Sequence, residues 1–221
     1  MASSMGTSHS SAGLLLAREF SGLKKRPTCK YFVVYDMVNE NIFEWVIYVI
    51  GPPGTFYDGG CYRAIMRFPV DYPMSPPSVQ FTSKVMHPNV YRDGKVCITT
   101  LQIMSSDARE TESVLFWRPV LGVEQAVISV VSLLSDPNVD DPANTDAAKC
   151  LAETPLRFKE ICAKHAKASL AALPKDFEYP QLEERRATED SVENKKNDTH
   201  CSFDDDDEEE YVYSDDEYTS M

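Results

Sequence analysis

The chain has 221 residues, 43% of them hydrophobic, and a formal net charge of −13, enough for one domain with a real core and some chain to spare. The charge is lopsided: residues 180–221 hold 16 acids and four bases, leaving 19 acids against 18 bases in residues 1–179. The part able to fold therefore lacks the basic footprint that a nucleic-acid binder needs.

The six cysteines stand at 29, 61, 97, 150, 162 and 201, and none falls in a Cys-x-x-Cys pair. Reduced thiols in the cytoplasm or nucleus are the expectation, not a disulfide framework. Four scattered histidines offer no zinc spacing, so no metal site is expected. Leu14-Leu15-Leu16-Ala17 is too short an apolar run for a signal peptide or a membrane span, and no membrane partner is expected.

Residues 1–12 are Ser-rich and expected to be disordered. A helix is predicted from about Ser11, with Leu16, Phe20 and Leu23 at i, i+4 and i+7 and Ala17 filling the same stripe. Arg18, Lys24, Lys25 and Arg26 make its exposed side basic, and Pro27 stops it. Strands follow. Tyr31 to Val34 is the first and Ile42 to Ile50 the second, with Trp45, Ile47 and Val49 on one face and Val46, Tyr48 and Ile50 on the other. Gly51-Pro52-Pro53-Gly54 turns the chain into a third strand, Cys61 to Phe68, and Val79-Gln80-Phe81 is a short fourth. Between the last two, Phe68 to Pro77 contains four prolines, which forbid ladder pairing.

Met86 to Thr100 is broken by Pro88, Asn89 and Asp93-Gly94, so it is read as a loop. It brings His87, Asn89 and Cys97 into one short span, where nucleophilic chemistry belongs. Gln102 to Phe116 is polar and irregular. Gly122 to Leu134 is a helix apolar on most sides, hence buried. Asp136 to Pro142 breaks it, a short helix covers Asp146 to Ala152, and a longer one starts at Thr154 as N-cap with Pro155 at its first position. Its inner stripe is expected at Phe158, Ile161 and His165, and it ends by Pro174. Beyond Tyr179 no hydrophobic periodicity survives, and Asp204 to Glu210 is seven consecutive acids, a tail that cannot fold on itself. The expected fold is α+β: an N-terminal helix, a four-stranded antiparallel meander, then helices. Its expected organisation is a disordered N-terminus (1–12), a folded domain (13–175) and a disordered acidic tail (176–221).

Several collinear pieces across about residues 14–172 resemble the catalytic domain of ubiquitin-conjugating enzymes. They are Gly51 to Gly60, the proline segment ending Pro76-Pro77, His87-Pro88-Asn89, Cys97 eight residues on, Trp117-x-Pro119, and Ser132-Leu133-Leu134 followed by Asp136-Pro137-Asn138. The span from Cys97 to Trp117 is similar to the subgroup with an extended acidic loop, here carrying Asp107, Glu110 and Glu112. The acidic tail is similar to the form that works with cullin-RING ligases. This sequence departs from that subgroup in lacking a His-x-Pro after Leu101 and in having Leu115-Phe116 before Trp117.

The resemblance implies that Cys97 accepts ubiquitin as a thioester from an activating enzyme and passes it to a lysine of a protein substrate or of another ubiquitin. No cofactor is bound directly; ATP is used by the activating enzyme. Asn89 is implied either to donate its amide to the oxyanion of the intermediate or to hold the loop backbone. His87 and Pro88 are implied to be loop scaffold, not base. Asp141 is implied to meet the incoming lysine. A lysine with a pKa near 10.4 is neutral in only about one molecule in a few thousand at pH 7. A carboxylate raises that pKa further, so Asp141 would serve by orientation or late proton acceptance; the plainer alternative is an Asp that caps its own turn. Met74, Pro119 and Val120 are implied to contact a RING ligase, and Lys24 and Lys25 the activating enzyme. The tail would steer encounter with a basic groove, and Ser202 and Ser214, each followed by acids, are candidate phosphorylation sites. Competing readings are a non-catalytic ubiquitin- or ligase-binding variant of the fold, which would lack the cysteine, and a conjugating enzyme for another ubiquitin-like modifier.

Overall fold

The computed structural model describes residues 10–25, 30–104 and 115–180. Pro27, Cys29, Cys201, the acids Asp107, Glu110 and Glu112, and the tail beyond 180 lie outside the described residues. The order of elements is helix α1 (Ser11–Lys25), strands β1 (Phe32–Val38), β2 (Asn41–Ile50), β3 (Cys61–Arg67) and β4 (Ser78–Phe81), then helices α2 (Gly122–Ser135), α3 (Thr145–Glu153) and α4 (Pro155–Ala171). The strands form one antiparallel sheet in the order β1-β2-β3-β4, the expected meander.

β2 carries the alternation that defines both faces of the sheet. Trp45, Ile47 and Val49 enter the main core with Leu16 and Phe20 of α1 and Val123, Val127 and Val130 of α2. Val46 and Tyr48 face the other way, into a second cluster with Cys61 and Ile65. Period two on one strand thus feeds two cores. The second is closed by chain that follows α4: Phe177 stacks on Tyr48 at 4.8 Å, and the Tyr35 hydroxyl donates to Asp176 at 2.9 Å. The boundary expected at 175 therefore falls inside packed structure. The boundary expected after residue 12 does so too, since Ala12 lies buried in α1.

Other differences have local causes. β1 runs on to Val38, past the expected end at Val34, because Asn39 and Glu40 both take positive φ (50° and 58°) and close a two-residue hairpin. A ladder irregularity between Val34 and Asp36, and Asp36 accepting from the Met37 N–H, interrupt the alternation that would have shown the strand. Ala17 is exposed, since one residue past Leu16 turns it 100° off the buried stripe. In α4 the buried positions are Phe158, Cys162, Ala166 and Ser169, so Ile161 and His165 sit on its flank. Thr154 precedes α4, but its hydroxyl donates back to the Cys150 carbonyl at 3.2 Å and caps nothing. α2 is apolar on most sides and buried as expected. One of its unpaired N-terminal amides, that of Val123, donates to the Glu19 carboxylate of α1 at 2.9 Å, and Tyr72 donates to the same group.

Candidate active site

The loop from Met86 to Cys97 is a hairpin laid along β4. Phe81 N–H donates to the Gly94 carbonyl at 2.8 Å, and Val96 N–H to the Val79 carbonyl at 2.9 Å. Val90 pairs with Val96, and Asp93 and Gly94 make the turn. Gly94 has φ of 90°, and a Cβ there would stand 2.0 Å from the Phe81 carbonyl oxygen, so glycine is required. At the base of the hairpin, Cys97 N–H donates to the Asn89 carbonyl at 2.9 Å.

His87 is fully buried, as scaffold would be. Its Nδ1 accepts from the Asn89 N–H at 2.8 Å, which leaves Nε2 to donate to the Leu133 carbonyl at the end of α2, also at 2.8 Å. Burial pushes its pKa down to about 4, against a weaker opposing effect of the bond to Leu133. A neutral imidazole with both nitrogens occupied has no proton-transfer capacity left for a substrate. Tyr57, from the Gly51–Gly60 turn, donates to the Met86 carbonyl at 2.8 Å and packs on the His87 ring. Pro88 is buried, and its carbonyl accepts from Asn144 N–H at 2.8 Å.

Asn89 joins this hairpin to the turn after α2. Its Nδ2 donates to the carbonyls of Asn138 (2.8 Å) and Asp141 (3.4 Å), and its Oδ1 accepts from the Asn138 N–H at 2.8 Å. Of the two roles open to Asn89, the structure displays the backbone-holding one. Asp141 is exposed, and its peptide is fixed further by its N–H bonding Asn138 Oδ1 at 3.4 Å.

Cys97 is half-buried. Two side chains that no sequence motif singled out meet it. Tyr91 neighbours Cys97, and the nearness of that thiol is the first cause of a raised Tyr91 pKa; the charge of Asp141 also raises it. The amide Nε2 of Gln102 stands 3.6 Å from Sγ. Cys97, Tyr91, Gln102 and Asp141 therefore share one surface, and Asn89 lies beneath it. Tyr91 was findable: the Asp93-Gly94 turn implies the hairpin, and the hairpin sets residue 91 diagonal to 97. Gln102 carries no such signal, because its place depends on a 3₁₀ turn, Thr99–Leu101, of ordinary composition. Two of the other described cysteines differ in setting: Cys61 and Cys162 are buried, which pushes their thiols up to about 12, while Cys150 is half-buried like Cys97.

The expected docking residues gather elsewhere. Met74 is 69% exposed and Val120 83%. Trp117 Nε1 donates to the Pro73 carbonyl at 2.8 Å, which ties the loop of Met74 to the loop of Pro119 and Val120. Lys24 and Lys25 are exposed at the end of α1, Lys24 with its ammonium 5.5 Å from the Phe20 ring.

Comparison with known proteins gives a consistent result. The family model described as "Ubiquitin-conjugating enzyme" matches residues 15–166. The chain is 44% identical over 163 residues to "Ubiquitin-conjugating enzyme E2 13" of Arabidopsis thaliana, covering 73% of this chain and 97% of the relative. It is 39% identical over 163 residues to "Ubiquitin-conjugating enzyme E2 G2" of Homo sapiens, covering 72% and 98%. It is 35% identical over 228 residues to "Ubiquitin-conjugating enzyme E2-34 kDa" of Saccharomyces cerevisiae, covering 97% of this chain and 76% of the relative.

Proposed function

The chain belongs to the ubiquitin-conjugating enzyme family, whose members are enzymes that carry ubiquitin as a thioester, and on that premise we propose that Cys97 is the carrier. One observation supports this above the rest: Cys97 is a half-buried thiol on a hydrogen-bonded hairpin, with the amide of Gln102 3.6 Å from its sulfur and Tyr91 as a neighbour. In loading, the Cys97 thiolate attacks the ubiquitin carboxyl carbonyl held on the activating enzyme's cysteine, and that sulfur leaves. In discharge, a lysine amine attacks the same carbonyl and the Cys97 sulfur leaves. Asn89 holds the floor of the site, and His87 and Pro88 fix the hairpin to α2 and the turn before α3. Asp141 orients the incoming lysine, or accepts the proton its nitrogen sheds once the C–N bond has formed. ATP belongs to the activating enzyme.

The ligase partner is read as a cullin-RING assembly. Support comes from the acids of residues 180–221 and from the yeast 34 kDa relative, whose alignment covers 97% of this chain where that of the Arabidopsis relative covers 73%. Met74, Pro119 and Val120 present the apolar patch for a RING domain, and Lys24 and Lys25 the basic edge for the activating enzyme. The acids Asp107, Glu110 and Glu112 add negative charge to the segment between Cys97 and Trp117. The working compartment is the cytoplasm, the nucleus or both.

The test is a loading reaction with ATP, activating enzyme and ubiquitin. The wild-type chain should give an adduct that reducing agent cleaves, and Cys97→Ser a resistant ester or nothing. A thiol-sensitive adduct persisting in Cys97→Ser would put the nucleophile elsewhere.

A further inference from the structure

With Cys97 as the thioester carrier, a role on which the assignment of Gln102 rests, the reaction places negative charge on one atom twice. The sulfur is a thiolate before it attacks, and a thiolate again when the amine displaces it. A site that speeds both steps needs donors fixed at that sulfur, not only at the carbonyl. Asn89 does not supply one there, since its amide hydrogens go to the carbonyls of Asn138 and Asp141.

Gln102 has the required geometry. Its Nε2 is 3.6 Å from Sγ, within reach for a sulfur acceptor. Its backbone is held at both ends. The Gln102 N–H donates to the Thr99 carbonyl at 2.9 Å, closing the 3₁₀ turn that follows Cys97, and the Gln102 carbonyl accepts from the Trp117 N–H at 3.0 Å. Trp117 is buried and pinned to Pro73 through its indole. The amide thus hangs from a fixed root, so little reorganisation is needed when charge arrives on the sulfur. The amide is also neutral: it stabilises charge without itself titrating across the physiological range.

We propose that Gln102 is a catalytic residue whose side-chain amide donates to the Cys97 sulfur each time that sulfur carries negative charge. During loading, the Cys97 S–C bond forms as the activating enzyme's S–C bond breaks, and charge passes from Cys97 to the departing sulfur. During discharge the C–N bond forms and the C–S bond breaks, leaving the electron pair on Cys97 beside the Gln102 amide. The proton of the amine passes to water or to Asp141.

The experiment uses the full chain and reads the sulfur directly. Alkylation of Cys97 by iodoacetamide, followed peptide by peptide with mass spectrometry across pH, gives the midpoint of thiolate formation. Gln102→Ala should raise that midpoint by about half to one unit, the scale of one hydrogen bond to a charged group at an exposed site. Gln102→Glu should raise it further, because a carboxylate would face the thiolate. Single-turnover discharge of preloaded protein to free lysine should slow about 3- to 10-fold in Gln102→Ala. The side chain is exposed and the backbone bonds do not involve it, so both variants should fold; unchanged melting temperatures check this. Equal midpoints and equal discharge rates in all three proteins would overturn the proposal. If Cys97→Ser keeps a thiol-sensitive adduct, the carrier assignment fails instead, and the Cys97 midpoint still reports whether Gln102 acts on that sulfur.

Discussion

His87 shows what a single residue contributes when its chemistry is withheld. The tripeptide His87-Pro88-Asn89 invites an acid–base reading, yet the ring is sealed between the Leu133 carbonyl and the Asn89 amide. The consequence is a stability term that depends on pH. The unfolded imidazole takes a proton near 6.5, the folded one only near 4. Between these values the unfolded state binds more protons, so stability is intact above about pH 6.5 and declines as pH falls through the folded pKa. At about 1.4 kcal/mol per unit the loss approaches about 3 kcal/mol by pH 4. His165, lowered first by burial and then by Lys84 and Lys164, adds in the same direction. Urea midpoints measured from pH 7 to 4 should fall steeply for the wild type, and more shallowly for His87→Gln from a lower start. A wild-type midpoint that stays level across the window would mean the ring is not held neutral. The residues of the site that could be read in advance were those contiguous in sequence or carried by a motif. Tyr91 needed the hairpin register set by Asp93-Gly94, and Gln102 had no signal at all, because a loop side chain's direction is set by backbone geometry that no periodicity encodes.

At the scale of elements, legibility followed regularity. The alternation along β2 gave both sheet faces, and the apolar surface of α2 gave its burial, because each pattern is long and repeats. Where the backbone departed from repeat, the reading shortened: at the bulge in β1, and after α4, where Leu173, Asp176 and Phe177 follow no period yet cover the second face of the sheet. Three contacts define that cover. Phe177 meets Tyr48 at 4.8 Å and Tyr35 at 6.3 Å, while Tyr35 bonds Asp176. A half-buried aromatic, even with three ring partners (Tyr35, Tyr48 and Tyr179), contributes less than the 3–5 kcal/mol of a fully buried one. Phe177→Ala should therefore lower stability by about 1–2 kcal/mol, seen as an earlier urea midpoint. Thioester formation per folded molecule should stay at the wild-type rate, since Cys97 belongs to the hairpin beside β4. A loss of loading that exceeded the loss of folded protein would instead connect this face to the reaction.

For the molecule as a whole, the dominant physical fact is where its charge lies. Residues 1–179 are nearly balanced, and residues 180–221 hold the excess of acids, seven of them consecutive from Asp204. A run of acids of that density is expected to favour water over a hydrophobic core, which points its effect toward encounter with other molecules. If the ligase presents a basic groove, concentrated negative charge raises the association rate by about 10- to 1,000-fold at low salt. Screening weakens this as the Debye length shortens toward about 8 Å at physiological ionic strength. The effect would belong to association, because the apolar contacts proposed for Met74 and Val120 would be the same with or without the tail, and contacts of that kind govern how long a complex lasts. Deleting Cys201 to Met221 should therefore slow binding to a cullin-RING ligase at low ionic strength, leave dissociation nearly unchanged, and flatten the dependence of the on-rate on salt. Stopped-flow association measured at several salt concentrations separates these outcomes. Equal on-rates for the full and shortened chains at low salt would remove steering as the tail's role, whatever the fate of Cys97.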